Sequence, residues 1–334
     1  MKKILTVVIP AYNIEKYIEN CLDSFVIPEV LEDLEVLIVN DGSKDRSADL
    51  AAAYEKRYPN SFRVINKENG GHGSTINRGL LEASGKYFKV VDGDDWVERE
   101  AFLRLMDCLK GCTSDVVFSN YYWVREKDGR KKPEFAEPFA GVIYGKEYQF
   151  SEISDRIFMK MHGMTMRTEM LRGIPPIDEH CFYVDMEYVL FPVPLIRTVT
   201  CIDAVVYMYR VGLPGQSMNM KSMRKNAENY DRVLQRLLGF YDEQRQKRAP
   251  ACVMVYLENI IARMAASRFK IFLSFPCSRK IPLQMREFDR GLLEKYPKIY
   301  QAVRNRAVLF LRKTDYRAYY AARLTFKIKE GLKK

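Results

Sequence analysis

Over its first 120 residues the chain alternates short aliphatic, β-branched runs with helical repeats, and the runs end in polar clusters. Few folds admit that order, because parallel strands need crossover connections and those bury a mostly parallel sheet between helices. Residues 4–9 read as a buried strand. After them Asn13 is placed to cap a helix whose apolar positions Ile14, Tyr17, Ile18, Cys21, Leu22 and Phe25 recur at helical spacing. Residues 34–39 form a second strand, followed by Asn40-Asp41-Gly42-Ser43 and a helix that stops before Pro59. The third, residues 62–65, precedes the glycine-rich Asn69-Gly70-Gly71-His72-Gly73-Ser74 and a helix closed by Gly85. The fourth, residues 87–91, ends in Asp92-Gly93-Asp94-Asp95-Trp96, with a helix over residues 97–109 and Asp95 and Glu98 spaced as a capping-box variant. Residues 115–119 and 121–124 are two further strand candidates. Beyond residue 135 the pattern is mixed, and after Ser222 it turns helical, with one stripe from Tyr230 to Tyr241 and another from Val253 to Met264.

Composition closes off several classes. At 334 residues and 47% hydrophobic, the chain can bury a core. Its longest uncharged stretch runs only from Ile4 to Ile14, far short of the roughly 18 to 20 apolar residues of a membrane-spanning helix. Met1-Lys2-Lys3 leads into an apolar run without a small-residue cleavage site, so no secretory signal is expected. Seven scattered cysteines without CxxC spacing suit reduced thiols in a cytoplasm. The net charge of +11 is unevenly placed: residues 1–220 carry 27 basic against 33 acidic side chains, and residues 221–334 carry 27 against 10. A basic back half suits nucleic acid, anionic lipid or an acidic polymer, and charge alone does not choose among them.

Ligands of open α/β sheets collect beyond the carboxyl ends of the strands. Three polar clusters fall there: Pro10-Ala11-Tyr12-Asn13, Asn40-Asp41-Gly42-Ser43 and Asp92-Gly93-Asp94. Carboxylates two residues apart in extended backbone face one side, so Asp92 and Asp94 are placed to share a target, and hard oxygen ligands suit Mg²⁺ or Mn²⁺. Taken singly, Asp41-Gly42-Ser43 reads as a turn and helix start, and Asp95 as a helix cap. His72 has two readings, a phosphate contact or a solvated loop residue. His162, beside Met161 and Met164, reads as a hydrogen-bonded core histidine. The glycine-rich loop fits neither GxGxxG nor P-loop spacing.

Taken together, the run from Val7 to Asn13, the run from Val36 to Asp45, Asn69-Gly70-Gly71 leading to Ala83-Ser84-Gly85-Lys86-Tyr87, and Asp92-Gly93-Asp94-Asp95-Trp96 resemble the family 2 glycosyltransferases in order and spacing, over about residues 4–105. The resemblance implies the GT-A fold, a Rossmann-like mixed sheet flanked by helices, here with a helical C-terminal region. It implies transfer of a hexosyl group with inversion, from a nucleotide-diphosphate donor, expected to be a UDP-sugar, to an acceptor hydroxyl. By the same resemblance Pro10, Ala11 and Tyr12 line the nucleoside, Asp41 binds the base, Asp92 with Gly93 meets the ribose, and Asp94 binds Mn²⁺ or Mg²⁺. The family's catalytic carboxylate sits in a Glu-Asp pair followed by an aromatic. Here Tyr183-Val184-Asp185-Met186-Glu187-Tyr188 keeps Asp and the aromatic but has Val184 in place of Glu, so Asp185 is the expected base, with Glu187 as a second carboxylate nearby, reactive or a salt-bridge partner. The segment from Tyr209 to Ser217 resembles a loop that closes near the donor.

The expected organisation is therefore a catalytic domain over residues 1–220, with a nucleotide-sugar half to residue 120 and an acceptor half from 121, then a basic helical region over 221–334. The expected setting is the cytoplasm, with synthesis of a cell-surface glycan or polysaccharide on a glycan or lipid-linked acceptor. Two rival readings are weaker. A nucleotidyltransferase wants a basic, glycine-rich loop directly after the first strand, which Pro10-Ala11-Tyr12-Asn13 does not supply. A nucleic-acid-binding protein would explain the basic back half, but no nucleic-acid motif appears and no nucleic-acid partner is expected. Residues 303–334 hold ten basic side chains against Asp315 and Glu330, mixed with Tyr316, Tyr319, Tyr320, Leu324 and Ile328. Such a helix either lies on an anionic membrane surface at the inner face of the cell membrane or packs its aromatic face on the preceding helices.

Overall fold

A computed structural model describes residues 3–135, 139, 141–213, 216, 217 and 219–331. They gather into two compact units, Met1–Pro214 and Gly215–Lys334.

In the first unit the strands are β1 (Leu5–Ala11), β2 (Leu34–Asn40), β3 (Phe62–Asn66), β4 (Tyr87–Val90), β5 (Trp96–Val97), β6 (Val116–Arg125), β7 (Lys131–Pro133), β8 (Glu147–Gln149), β9 (Met164–Arg167) and β10 (Thr198–Val211). They form one sheet in the order β3-β2-β1-β4-β9-β6-β10-β5, with β7 beside β6 and β8 beside β10. The first four run parallel, as crossover helices require. β9 then joins antiparallel to both β4 and β6, so the sheet is mixed. The two strand candidates after residue 115 are one continuous strand, β6, paired in parallel with the fourteen-residue β10. β10 escapes the sequence pattern because its register shifts between Cys201 and Tyr207, and an inserted residue flips the in-out alternation that periodicity depends on.

The helices of this unit are α1 (Ile18–Asp23), α2 (Ser47–Arg57), α3 (His72–Glu82), α4 (Arg99–Gly111), α5 (Phe150–Ile153), α6 (Thr168–Leu171) and α7 (Asp185–Leu190). Two expected caps are wrong. Asn13 does not start α1; it takes a left-handed φ of 52° and its Oδ1 accepts the Lys44 N–H at 2.8 Å. Asp95 does not cap α4 either. Glu98 does, accepting from the Ala101 N–H, while Trp96 and Val97 pair with β10 as β5. The apolar faces of β1 and β2 bury Val7, Ile9, Val36 and Ile38 with Phe25 and Phe102, whose rings meet edge to face at 5.4 Å.

The second unit is helical: α8 (Met220–Lys225), α9 (Ala227–Gln246), α10 (Ala251–Ser274), α11 (Lys280–Lys295), α12 (Pro297–Ala302), α13 (Arg306–Lys313) and α14 (Tyr319–Gly331). Both stripes read from the sequence, Tyr230 to Tyr241 and Val253 to Met264, are buried. The aromatic positions near the C-terminus divide. Tyr316, at φ 62° in the turn before α14, and Tyr319 are buried, and the Tyr316 hydroxyl donates to Asp289 at 2.6 Å. Tyr320, Leu324 and Ile328 recur every four residues along α14 and are exposed.

Candidate active site

The first two strand ends are stitched together by their own polar side chains. Asp41 N–H donates to the Ala11 carbonyl at 2.9 Å, Asn13 N–H to Ser43 Oγ at 3.1 Å, and Ile14 N–H to Ser47 Oγ at 2.8 Å. These short side chains replace ladder partners that the backbone loses where the strands stop. Ala11 is buried and the Tyr12 ring is half exposed. Asp41 is nearly wholly buried: its Oδ1 accepts from the Lys67 ammonium and the Gly70 N–H, both at 2.8 Å, and Oδ2 from the Gly71 N–H at 2.8 Å. The turn aspartate thus orders the glycine-rich loop 29 to 30 residues further on.

That loop opens α3 and aims His72. Gly71 has φ 82°, and a Cβ on Gly73 would come within 2.1 Å of the Asp178 carbonyl. Gly73→Ala should therefore destabilise the fold by about 1 to 3 kcal/mol by overpacking, although alanine alone favours a helix by about 1 kcal/mol. Urea denaturation measures this, and an unchanged midpoint would show that the 178 segment yields freely. His72 Nε2 lies 2.8 Å from Asp92 Oδ1. The loop histidine is partly exposed and paired.

Asp92, Gly93, Asp94 and Asp95 form a turn closed by the Asp95 N–H on the Asp92 carbonyl at 2.9 Å, rather than the extended pleat the two-residue spacing suggests. Gly93 fits because a Cβ would meet Ile14 Cδ1 at 2.2 Å and the Pro10 carbonyl at 2.9 Å, so this turn packs on the end of β1. Asp95 is buried. Its carboxylate accepts from the Tyr207 hydroxyl and the Arg210 N–H, both at 2.6 Å, and the Asp92 N–H donates to the Tyr207 oxygen at 3.1 Å. Arg210 fixes the turn from the other side. Its Nε donates to the Asp94 carbonyl at 2.8 Å, its other nitrogens reach Asn20 and Glu126 at 2.7 Å, and its guanidinium lies 4.6 Å from the Trp96 ring centre.

Asp185 opens α7, just after Tyr183 at φ 69°. Burial raises its carboxyl above the ordinary value, with Asp92 adding to the rise and His72 opposing it. Burial also acts on the pair Asp92 and His72, but each partner outweighs it: Asp92 is held below its ordinary value and His72 above. Burial and the neighbouring Asp92 push Asp94 up to about 6. His72 is therefore paired with Asp92 and feels the charge of Asp185. Glu187 is wholly buried and its Oε2 accepts the Asp178 N–H at 2.8 Å, in the loop that Gly73 packs against. His162 is not the hydrogen-bonded core histidine expected. It sits among the rings of Tyr121, Tyr207 and Tyr209, and burial holds it down to about 4. Of the donor-side loop expected from Tyr209 to Ser217, residues 214 and 215 lie outside the described residues.

Asp92 and Asp94 offer the hard oxygen donors that a divalent cation takes. Asp94 is held up at about 6 by burial and by Asp92, a repulsion that a cation would replace with attraction. Oxygens of Asp92 and Asp95 and a ring nitrogen of His162 also lie within 4.8 Å of one another, but the Asp95 oxygens are already taken by Tyr207 and Arg210. Lys67, Tyr207 and the role of His72 escaped sequence reasoning. The Tyr207 contact with residue 92 spans 115 positions, and no local spacing encodes it.

Parallel strands whose ends meet an Asp-Gly-Asp turn, continued through an antiparallel β9 into a mixed sheet, make a GT-A arrangement. The model of Glycosyl transferase family 2 matches residues 6–174, and the chain belongs to that family. It is 39% identical over 122 residues to the uncharacterized glycosyltransferase EpsJ of Bacillus subtilis, covering 36% of this chain and 35% of that one. It is 39% identical over 116 residues to a poly(ribitol-phosphate) beta-glucosyltransferase of Bacillus spizizenii, covering 34% of this chain and 18% of that one. The match thus spans about a third or less of either relative. Among solved structures, Staphylococcus aureus TarS 1-349 in complex with UDP-GlcNAc superposes with a TM-score of 0.63 at 18% identity, covering 98% of this chain and 92% of that one.

Proposed function

We propose that this chain is an inverting glycosyltransferase that moves a sugar from a nucleotide-diphosphate donor, a UDP-sugar, to an acceptor hydroxyl in the synthesis of a cell-surface glycan. The observation that carries the reading is the ion pair of Asp92 and His72 at the end of the fourth strand, with Asp185 close enough for its raised carboxyl to feel both charges. The poly(ribitol-phosphate) beta-glucosyltransferase relative supports a polymeric acceptor, and the UDP-GlcNAc complex of TarS supports the donor class.

Pro10, Ala11 and Tyr12 line the nucleoside. Asp41 Oδ2 carries one bond, from Gly71, and so keeps a lone pair for a base N–H. Asp92 and Gly93 meet the ribose, and Asp92 with Asp94 holds Mn²⁺ or Mg²⁺. When bound, that ion supplies positive charge against the departing diphosphate. Asp185 takes the proton of the acceptor hydroxyl as its oxygen attacks the anomeric carbon on the face opposite the diphosphate; the new C–O bond forms as the bond to the diphosphate oxygen breaks, which inverts the centre. A carboxyl raised by burial is a better proton acceptor than a solvated one. Screening nucleotide sugars for metal-dependent release of UDP or GDP tests the reading. Turnover should appear with at least one donor and vanish in EDTA, and no release from any donor would overturn it.

We further propose that the C-terminal helices meet an anionic membrane surface. No helix among the described residues is long and apolar enough to cross a membrane. α14 nevertheless exposes Tyr320, Leu324 and Ile328 beside Arg323 and Lys327, and basic residues near such a surface are worth about 1 kcal/mol each. Sedimentation with liposomes checks this: binding should require anionic lipid, weaken with salt and vanish on deleting residues 303–334. Equal binding to neutral liposomes, or none at low salt, would refute it.

A further inference from the structure

The register of β6 against β10 sets Tyr121 opposite Tyr207 and Trp123 opposite Tyr209, so four aromatic rings share one face of the sheet. The inner pair is buried and the outer pair, Trp123 and Tyr209, is partly exposed, with ring centres 4.8 Å apart at 62°. His162 lies against this square. Its ring stacks on Tyr121 at 4.8 Å, meets Tyr207 edge-on at 4.8 Å and lies 4.5 Å from Tyr209. The box is pinned from outside. Glu134 accepts the Trp123 Nε1–H at 2.5 Å and pairs with Lys160, whose ammonium lies 5.7 Å from the Trp123 ring centre. The buried Lys89 ammonium donates to the His162 carbonyl at 2.8 Å.

Within this rigid setting neither nitrogen of His162 has a hydrogen-bond partner among the described residues, and only Nδ1 is sealed from solvent. The nitrogen that is not sealed is free to exchange a water for a ligand hydroxyl. A ring nitrogen and oxygens of Asp92 and Asp95 lie within 4.8 Å of one another, which puts the box beside the centre described above. Tyr209 feels the same centre: after burial, the charges of Asp95, Asp92 and Asp185 push its phenol up.

We propose that His162, Trp123 and Tyr209 form a subsite for a pyranose ring of the acceptor, with the aromatic faces against its C–H face and a sugar hydroxyl on the open imidazole nitrogen. The proposal rests on the glycosyltransferase reading. Aromatic walls with one or a few placed polar groups are the usual composition of a small-ligand site. Aromatic faces are electron-rich and favour the weakly positive C–H edges of a sugar.

The probes are methyl β-D-glucopyranoside, methyl β-D-galactopyranoside and methyl N-acetyl-β-D-glucosaminide, each added to the full chain with UDP and Mn²⁺ and followed by saturation-transfer NMR. His162→Phe keeps a ring in the box and removes the nitrogens; Trp123→Phe is the milder second variant should the first fold poorly. At least one glycoside should receive saturation from the wild-type chain, and the signal should fall about tenfold in either variant, while calorimetric affinities for Mn²⁺ and UDP stay within twofold. Undiminished signals in the variants, or no glycoside bound by wild type, would overturn the subsite. A tenfold loss of Mn²⁺ affinity in His162→Phe would instead make His162 a metal ligand and equally overturn it. Loss of UDP binding by wild type, with a glycoside signal that still depends on His162, would refute the nucleotide-sugar reading and leave the saccharide subsite supported.

Discussion

Asp94→Asn is expected to lower sugar transfer by about 10³-fold, because metal stabilisation of charge developing on a leaving group is worth several kcal/mol and each 1.36 kcal/mol is a decade in rate. The fold should survive. Asp94 is held up at about 6 by burial and by Asp92, so replacing its carboxyl with an amide relieves repulsion and leaves the turn tied down through backbone bonds to Tyr207 and Arg210. The melting temperature should therefore hold or rise while activity collapses. Full activity in the variant, or undiminished wild-type turnover in excess EDTA, would remove the metal from the reaction. A collapse of activity together with melting temperature would point to a scaffold defect instead.

Asp185→Asn should reduce turnover by about 10² to 10⁴, the usual contribution of a positioned base, with donor affinity nearly unchanged. The split between turnover and binding separates this role from a structural one. Glu187→Gln serves as the contrast. Glu187 is wholly buried and holds the Asp178 N–H, so its loss should appear in stability before chemistry. Were Glu187→Gln the more damaging change to turnover in a chain that still melts normally, the base would sit two residues on. If neither substitution matters, the acceptor hydroxyl is deprotonated from elsewhere.

The parts of the fold readable from sequence are those with local causes. The strands β1 and β2 are nearly continuous apolar runs because they are buried on both faces, and the stripes of α9 and α10 recur at helical spacing because each helix has one face to hide. Polar clusters at strand ends were equally visible, since the chain must leave the ladder there and short polar side chains replace its bonds. Motif order then pointed to the family, and the family model matches from residue 6 onward. Boundaries were less legible. Asn13 and Asp95 both have the chemistry of a helix cap, and each instead bonds a segment that local spacing cannot see: Lys44 for one, Tyr207 and Arg210 for the other.

By itself the sequence determined the first four strands, the acidic cluster at residues 92–94 and the helical nature of the last third, because these follow from periodicity and backbone chemistry within a few residues. Only tertiary structure decided what each polar side chain does. His72 meets Asp92 across 20 residues and Tyr207 supports Asp92 across 115, while Tyr316 turns inward and Tyr320 outward although four positions separate them. The physical reason is the same in each case. A buried donor, acceptor or ring must find its partner in space, and tertiary packing, not the spacing along the chain, sets which partners are within reach.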